Sequence, residues 1–137
     1  MNDMNRLFTC KNPYQGDAKR VLCVCSAGLL RSPTAAVVLQ REFGFNTRAA
    51  GANDYALIPV DAILIHWADE IVCMEDIHFQ TLEMRFPLDM TDKPVKVLAI
   101  PDRFSYMKES LQESIKEVYQ RLENPGDSEL ASEVDTQ

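Results

Sequence analysis

Short apolar runs alternate along the chain with longer stretches in which apolar residues recur every three or four positions. The first run, 21–24 (V-L-C-V), carries no charge, which is typical of a strand buried on both faces of a sheet. We predict four strands, at 21–24, 46–52, 70–74 and 95–100. We predict four helices between and after them, at 33–43, 59–68, 75–86 and 108–123.

The helix predictions depend on apolar spacing and on residues that begin or end helices. The apolar set of the second helix is Val60, Ile63, Leu64, Trp67 and Ala68, and that of the last helix is Leu111, Ile115, Val118 and Leu122. In the first helix, Ser32 is a candidate N-cap, Pro33 has the favoured first position and Gly44 is a candidate C-cap. Strands that alternate with helices predict an α/β fold, with a parallel sheet and helices on both faces.

Composition is typical of a globular protein of one domain. The 137 residues are 46% hydrophobic and 26% charged, and no apolar run reaches membrane-spanning length. A formal net charge of −7 disfavours nucleic-acid binding. The N-terminus has no signal-peptide pattern, so we expect a cytoplasmic protein without membrane contact. The four cysteines include no C-x2-C pair, so no metal site is predicted.

One cysteine stands at a position suited to nucleophilic chemistry. Cys25 follows the first apolar run, and the first predicted helix begins eight residues later at Pro33. A loop that enters a helix N-terminus presents unpaired N–H groups and the positive end of the helix dipole, which favour a bound anion and a thiolate. Arg31 adds a planar guanidinium that can bind two phosphate oxygens together. The stretch therefore predicts a nucleophile beside an oxyanion-binding loop.

The sequence that starts at this cysteine, C-S-A-G-L-L-R-S-P-T-A from Cys25 to Ala35, resembles the phosphate-binding loop of the low-molecular-weight protein tyrosine phosphatases. The resemblance implies four parallel strands in the order 2-1-3-4. It also implies hydrolysis of a phosphate monoester through a phosphocysteine intermediate, without a metal or another cofactor. The implied substrate is a phosphotyrosine protein, and a small phosphate ester is an alternative.

The same resemblance implies roles for the residues of the loop. The Cys25 thiolate attacks phosphorus, Arg31 and loop N–H groups bind the equatorial oxygens, and the Ser32 hydroxyl donates a hydrogen bond to the sulfur. The implied phosphate-binding residues are Ser26, Ala27, Gly28, Leu29, Leu30 and Arg31. Many members have a bracing asparagine at the position of Gly28, and several have a second, protective cysteine at that of Leu30. We therefore expect a divergent member with a less braced loop.

A proton donor for the leaving oxygen is expected after the fourth strand, where the family has its general acid. Asp102 lies there, in I-P-D-R-F-S-Y, although the Pro-Asp order reverses the Asp-Pro order common in the family. Asp92 is the reserve candidate. The same stretch holds two aromatic side chains that either wall the substrate cleft or pack under the last helix, Phe104 and Tyr106. We expect the two histidines on predicted helices to be solvated, His66 and His78.

Compared with that family, residues 1–20 form an N-terminal extension, residues 21–123 the phosphatase-like domain and residues 124–137 a tail. The tail holds four of the 21 acidic residues and none of the 14 basic ones. It begins with the sequence Asn-Pro-Gly, which stops helices, so we predict that the tail is disordered.

Three other activities share parts of this pattern. The sequence C-S-A-G at Cys25 also resembles the phosphocysteine loop of sugar-phosphotransferase IIB carriers, but that loop generally lacks a closing Arg-Ser-Pro. Arsenate reductases on the same fold need further redox cysteines near the site, and only Cys73 is a candidate here. A phosphoprotein-binding module that has kept the loop and lost turnover is the non-enzymatic alternative.

Overall fold

The computed structural model describes residues 18–26, 31–100 and 108–123. They contain four strands: β1 (Arg20–Cys25), β2 (Asn46–Gly51), β3 (Glu70–Cys73) and β4 (Val95–Val97). They also contain four helices: α1 (Arg31–Phe43), α2 (Ala62–Trp67), α3 (Asp76–Arg85) and α4 (Glu109–Glu123). Each element lies where the apolar pattern predicts one of the same type. No helix in this part of the chain combines the length and the apolar character needed to cross a bilayer.

The four strands form one parallel sheet in the order β2-β1-β3-β4, which confirms the predicted order. In the register of the sheet, Cys25 pairs with Gly51 on β2, and Val21 pairs with Glu70 on β3. Because all strands run in the same direction, their carboxyl ends meet at one edge of the sheet, which we call the carboxyl edge. The opposite edge is called the amino edge.

The sheet is covered on both faces, and alternate residues of β1 enter two separate cores. Leu22 and Val24 pack with side chains of α2 and α3, in what we call the α2–α3 core. Val21 and Cys23 pack with side chains of α1 and α4, in the α1–α4 core. Residues 21–24 are fully buried, so the prediction of a strand buried on both faces is confirmed. Each buried leucine or valine side chain stabilises the fold by about 1.5–3 kcal/mol relative to exposure.

The two cores contain different aromatic side chains. Trp67, the single tryptophan of the sequence, is 7% exposed and belongs to the α2–α3 core. Tyr119 is fully buried in the α1–α4 core, where its ring centroid lies 5.1 Å from that of Phe43 and 5.6 Å from that of Phe45. These aromatic rings contribute large apolar areas to the two layers that sandwich the sheet.

The two ends of α1 compare differently with their sequence signals. Gly44 follows the helix with a φ of 74°, and its amide donates to the carbonyl of Gln40 at 2.9 Å, so the predicted C-cap is confirmed. The predicted N-cap is wrong, because the helix already begins at Arg31. The Ser32 hydroxyl instead lies 3.4 Å from the carbonyl oxygen of Ala50 on β2 and contacts a cysteine on β1.

Helix α2 begins at Ala62, three residues after the predicted start. Asp61 is its N-cap and accepts a hydrogen bond from the amide of Leu64 at 2.9 Å. Pro59, the predicted first residue, instead forms a parallel bridge with Gly51 at the end of β2. The segment before the helix therefore pairs with the end of β2 and does not form the first turn of the helix.

The buried faces of α2 and α4 differ in part from the predicted apolar sets. Ile65 is fully buried, whereas Ile63, predicted to be a core residue, is 37% exposed. A similar difference occurs in α4, where Tyr119 is buried and Leu122 is 39% exposed. The other predicted apolar positions of the two helices are buried or half-buried.

Strand β4 ends at Val97, three residues before the predicted end. The amides of Leu98 and Ile100 still donate to carbonyl groups at and just after the end of β3, at 2.9 and 2.8 Å. Ala99 lies between them with a φ of 58°, in the left-handed region, which interrupts the strand geometry.

A buried carboxylate lies at the amino edge of the sheet. Glu70 is 3% exposed, and its Oε1 accepts a hydrogen bond from the Tyr119 hydroxyl at 2.8 Å and lies 3.2 Å from the Lys19 Nζ. Its Oε2 pairs with the Lys96 Nζ, which also lies 3.1 Å from a carboxylate oxygen of Glu123. We call Glu70, Lys19, Lys96 and Tyr119 the Glu70 cluster.

Proton affinities within the Glu70 cluster follow from these contacts. Burial by itself lowers the pKa of Lys96, but its contacts with Glu70 and Glu123 outweigh burial and raise that pKa above its ordinary value. Burial, followed by the hydrogen bond to Glu70, raises the pKa of Tyr119. The phenol therefore remains protonated and the ammonium charged over a wide range of pH.

Candidate active site

The carboxyl end of β1 places the predicted nucleophile at the carboxyl edge. Cys25 is the last residue of β1 and is 4% exposed. Its Sγ lies 3.1 Å from the Oγ of Ser32 in the first turn of α1. Its carbonyl oxygen accepts a hydrogen bond from the amide of Ala52 at 2.7 Å. Strand pairing therefore fixes the cysteine backbone, while a hydroxyl contacts its sulfur.

Part of the predicted site falls outside the described residues. These include four predicted phosphate-binding residues, Ala27, Gly28, Leu29 and Leu30. They also include the predicted general acid and the predicted cleft residues, Asp102, Phe104 and Tyr106. The roles of these seven residues stay predictions. The described residues flank the loop on both sides, with Ser26 before it and Arg31 after it.

Arg31 is 2% exposed, and a guanidinium buried to this extent needs partners. Its Nη1 donates to the carbonyl oxygen of Ile100 at 2.8 Å and forms an ion pair with the Oε1 of Glu75. Glu75 lies just after β3 and Ile100 just after β4. The carboxyl ends of two other strands therefore fix this cation at the start of α1.

The carbonyl partner of Arg31 comes from a turn with unusual backbone geometry. Ala99, the residue before Ile100, has the left-handed φ of 58° described above. A residue other than glycine costs roughly 1–2 kcal/mol in this conformation. The turn allows the Ile100 amide to pair with the backbone after β3 while its carbonyl oxygen accepts from the arginine. The conformational cost at Ala99 thus accompanies a turn that orients the Ile100 carbonyl toward Arg31.

Ser26, the residue after the cysteine, is held from two sides. Its carbonyl oxygen accepts a hydrogen bond from the amide of Asn53 at 3.2 Å. Its Oγ lies 3.0 Å from the Nε2 of His78 in the first turn of α3. His78 is 2% exposed, and its Nδ1 accepts from the amide of Glu75 at 3.0 Å. The prediction that His78 is solvated is therefore wrong.

Two other residues considered as functional candidates lie away from Cys25. His66 is exposed, as predicted, and its Nε2 lies 2.7 Å from a carboxylate oxygen of Asp89. Asp92, the reserve general acid, is exposed and precedes β4 at the amino edge, opposite the edge that holds Cys25. Its position argues against a role in proton transfer at Cys25.

The two other described cysteines are core thiols. Burial is the main cause that raises the pKa of Cys23 far above its ordinary value, and neighbouring negative charge adds to this shift. Burial also raises the pKa of Cys73 to about 12, with a further contribution from Asp76. Both thiols are therefore protonated at neutral pH and poorly nucleophilic. Among the described residues, no three His, Cys, Asp or Glu side chains are grouped so as to ligate a metal ion.

Sequence reasoning did not identify Glu75 and His78 as parts of the site. Both lie at the junction of β3 and α3, with Glu75 as the N-cap of α3 and His78 three residues further on. The available signal was topological, because residues directly after any strand of a parallel sheet lie at the same edge as the first loop. Applied to β3, this rule would have placed both residues near Cys25.

Neither protein-family models nor curated proteins give a match to this sequence. Several solved structures, in contrast, match the fold of this chain. The arginine phosphatase YwlE from Geobacillus stearothermophilus superposes with a TM-score of 0.58 at 19% identity, covering 87% of this chain and 97% of that chain. The Erwinia amylovora tyrosine phosphatase AmsI gives a TM-score of 0.62 at 16% identity, covering 79% and 93%. The chain has the fold of the low-molecular-weight protein tyrosine phosphatases.

A third neighbour with this phosphatase fold is the tyrosine phosphatase Wzb from Escherichia coli K30, solved in complex with phosphate. It superposes with a TM-score of 0.58 at 16% identity, covering 77% of this chain and 96% of that chain. The shared fold extends over nearly the whole length of each neighbour. In the phosphatase fold of this chain, Cys25 lies at the edge where open α/β sheets bind their ligands.

Proposed function

We propose that the chain is a cysteine-dependent phosphatase that hydrolyses phosphotyrosine through a phosphocysteine intermediate. The observation that carries the proposal is the contact of 3.1 Å between the Cys25 Sγ and the Ser32 Oγ at the carboxyl edge. The buried guanidinium of Arg31 precedes that serine in the chain. The sequence C-x5-R-S-P-T-A and the phosphatase fold provide further support.

In the first step, the Cys25 thiolate attacks phosphorus in line with the leaving oxygen. A sulfur–phosphorus bond forms and the phosphorus–oxygen bond to the leaving group breaks. Arg31 and the loop N–H groups bind the three equatorial oxygens, where negative charge gathers in the transition state. Asp102, protonated at the start, gives its proton to the leaving oxygen. The Ser32 hydroxyl donates to the sulfur and stabilises its negative charge.

In the second step, water attacks the phosphocysteine. The carboxylate of Asp102 takes a proton from this water as its oxygen bonds to phosphorus. The sulfur–phosphorus bond breaks and its electron pair returns to Cys25, which leaves as the thiolate that Ser32 stabilises. The products are the alcohol or phenol and inorganic phosphate, and the enzyme returns to its first state without a metal or a redox cofactor.

Phosphotyrosine is the substrate class that we favour. AmsI and Wzb, two of the structural neighbours, are tyrosine phosphatases. In this chain, Tyr55 and Leu57 are 75% and 80% exposed, on the segment whose first residue, Asn53, is hydrogen-bonded to Ser26. An apolar surface of this kind beside the loop suits the ring of a phosphotyrosine. A small phosphate ester is the alternative substrate.

The test of the reaction is a Cys25→Ser variant assayed with an aryl phosphate. We expect hydrolysis to be abolished while inorganic phosphate still binds, because the loop and Arg31 are retained. Cys23→Ala is the matched control, since this core thiol lies two residues earlier on the same face of β1 and should keep its turnover. Near-normal hydrolysis by the Cys25→Ser variant would rule out Cys25 as the nucleophile.

Rapid quenching distinguishes a hydrolase from a phosphocysteine carrier. With the wild-type chain and an aryl phosphate, we expect a phosphocysteine at Cys25 that forms and then decays to inorganic phosphate. A stable phosphocysteine that is passed to an acceptor but not to water would favour the carrier. Binding of phosphate without any phosphocysteine would favour the non-enzymatic binding module.

A further inference from the structure

A buried histidine connects the two sides of the oxyanion-binding loop. His78 contacts Ser26, directly after the nucleophile, through its Nε2, and it accepts from the amide of Glu75 through its Nδ1. The carboxylate of Glu75 in turn pairs with Arg31, at the far end of the loop. One imidazole therefore contacts the residue that begins the loop and the residue that holds the cation at its end.

The hydrogen-bond partners define the form of the imidazole. A backbone amide can only donate, so the Nδ1 of His78 accepts and carries no proton. The ring is then neutral with its proton on Nε2, and this N–H donates to the hydroxyl oxygen of Ser26. The serine hydroxyl is fixed as an acceptor toward the ring, which leaves its own proton for another acceptor.

Burial and backbone contacts make this arrangement rigid. His78 is 2% exposed and lies in the first turn of α3. The hydrogen bond from the Glu75 amide to its Nδ1 caps the start of this helix. Ser26 is held on its other side through the hydrogen bond from Asn53 to its carbonyl oxygen. The hydroxyl of Ser26 is thus fixed from α3 and its backbone from the segment after β2.

We propose that His78 is a positioning residue for the oxyanion-binding loop, acting through the hydroxyl of Ser26. This inference rests on the proposed function in assigning the loop to phosphate. His78 fixes the hydroxyl of Ser26, the residue that directly follows the proposed nucleophile. It makes no bond to the reacting atoms, so its contribution is preorganisation of the loop.

The two side-chain hydrogen bonds of His78 described above can be tested separately. In His78→Asn, the side-chain oxygen can still accept from the Glu75 amide, as at a helix cap, but the donor to Ser26 is lost. In His78→Gln, the side-chain nitrogen reaches about as far as Nε2 and can still donate. Ser26→Ala removes the other partner. His66→Asn is the matched control, because it makes the same substitution at the exposed histidine of α2.

For each variant, turnover of an aryl phosphate, the affinity for inorganic phosphate by calorimetry and the melting temperature would be measured. We expect His78→Asn to lower kcat and phosphate affinity each by roughly threefold to tenfold, the worth of one hydrogen bond. The melting temperature should stay close to that of the wild type, because the bond to the Glu75 amide is kept. His78→Gln should recover most of the loss, and His66→Asn should behave as the wild type.

The decisive measurement is the double variant His78→Asn with Ser26→Ala. If the histidine acts through the serine, the effect of His78→Asn should largely disappear in the Ser26→Ala background. An undiminished effect in that background, or unchanged kcat and phosphate affinity in the single variant, would overturn the inference. Nitrogen-15 spectra of the imidazole should also show the Nε2–H form in the wild type, and the opposite tautomer would contradict it.

The outcomes also separate this inference from the proposed function. A wild-type chain that hydrolyses aryl phosphates and is insensitive to His78→Asn keeps the function and loses the inference. A chain that hydrolyses no ester, but binds phosphate with an affinity that depends on His78, keeps the inference and loses the function. A chain that neither hydrolyses nor binds contradicts both.

Discussion

In the part of the chain that the structure describes, each edge of the sheet buries one charged side chain, and the two edges hold these charges in different ways. At the carboxyl edge, Arg31 is held by the carboxylate of Glu75 and by a carbonyl oxygen, both from segments that follow strands. At the amino edge, Glu70 is held by partners from the start of β1, from β4 and from α4, namely Lys19, Lys96 and Tyr119. Both arrangements answer the same requirement, because a buried charge without partners is costly.

The buried charge at the amino edge serves mainly the stability of the fold, whereas the one at the carboxyl edge serves mainly the proposed chemistry. The partners of Glu70 belong to or adjoin regular elements, so the Glu70 cluster ties strands and a helix together. The partners of Arg31 lie at the carboxyl edge with Cys25, where Glu75 caps α3 and Ile100 follows β4, and both orient the guanidinium beside the predicted nucleophile. We expect substitutions at the carboxyl edge to change turnover more than stability. We expect the reverse at the amino edge, and the following variants test this division.

The largest expected effect is that of Asp102→Asn, at the proposed general acid. An amide keeps the shape but cannot give up a proton, so turnover of phenyl phosphate should fall by roughly 10²–10⁴-fold. The first step with an activated aryl ester should fall much less, because a strongly acidic phenol leaves unaided. Steady-state and burst kinetics with both esters measure this, and Asp92→Asn is the control at the amino edge. Equal losses with both esters and a lowered melting temperature would mark Asp102 as a structural residue.

Arg31→Lys should follow, with a loss of turnover of roughly 10²–10³-fold. An ammonium cannot bind two phosphate oxygens in the planar, bidentate manner of a guanidinium. It should still pair with Glu75, so the melting temperature should change little. The control is Arg41→Lys, an exposed arginine on the same helix. Wild-type rates in the Arg31→Lys variant would show that the guanidinium does not bind phosphate.

Glu70→Gln should lower the stability of the fold and leave turnover unchanged. Without the carboxylate, the ammonium groups of Lys19 and Lys96 lose their buried partner, and unfolding in urea should become easier by about 1–3 kcal/mol. Turnover of the folded fraction should stay at the wild-type level. Glu117→Gln, at an exposed position of α4, is the control. A loss of kcat without a loss of stability would contradict the division between the edges.

The smallest effect is an alkaline loss of stability that arises at the amino edge. The pKa values of Lys96 and Tyr119 are raised above 10.5 and 10.0 in the fold. Their stabilising contribution is therefore complete below about pH 10 and is lost as the pH rises through the folded values. Urea midpoints between pH 8 and about 11 would measure the slope. Lys96→Met and Tyr119→Phe should reduce the slope, whereas Tyr55→Phe, at an exposed tyrosine, should leave it unchanged.

Most of the fold was predictable because its signals are local. The apolar runs and helical spacing indicated eight elements, and the run around Val24 indicated a strand buried on both faces. The errors occurred where tertiary contacts override local preference. Pro59 reads as a helix start, but it bridges to β2, and Asp61 caps the helix instead. The apolar run of β4 continues to residue 100, but Ala99 leaves the strand where the chain turns toward Arg31.

The candidate site was predictable only where its residues are neighbours in sequence. Cys25, Arg31 and Ser32 fall within eight positions, and their types and spacing suggest the chemistry. Glu75 and His78 join them across about fifty residues, and no spacing rule for carboxylates or histidines indicates such a contact. Burial of a histidine also depends on which face of a short helix meets the sheet, and α3 has apolar side chains on both faces, such as Leu82 and Met84.

The aromatic residues of the two cores make the layers optically distinct. Indole fluorescence can be excited selectively, so emission from Trp67 reports on the α2–α3 core alone. Near-ultraviolet dichroism arises from all immobilised rings, so in addition to Trp67 it includes Tyr119, which packs against Phe43 and Phe45 on the other face of the sheet. A denaturation experiment can therefore follow both faces in the wild-type chain without an added label. Coincident transitions would mean that the sheet and its two helical layers unfold as one cooperative unit.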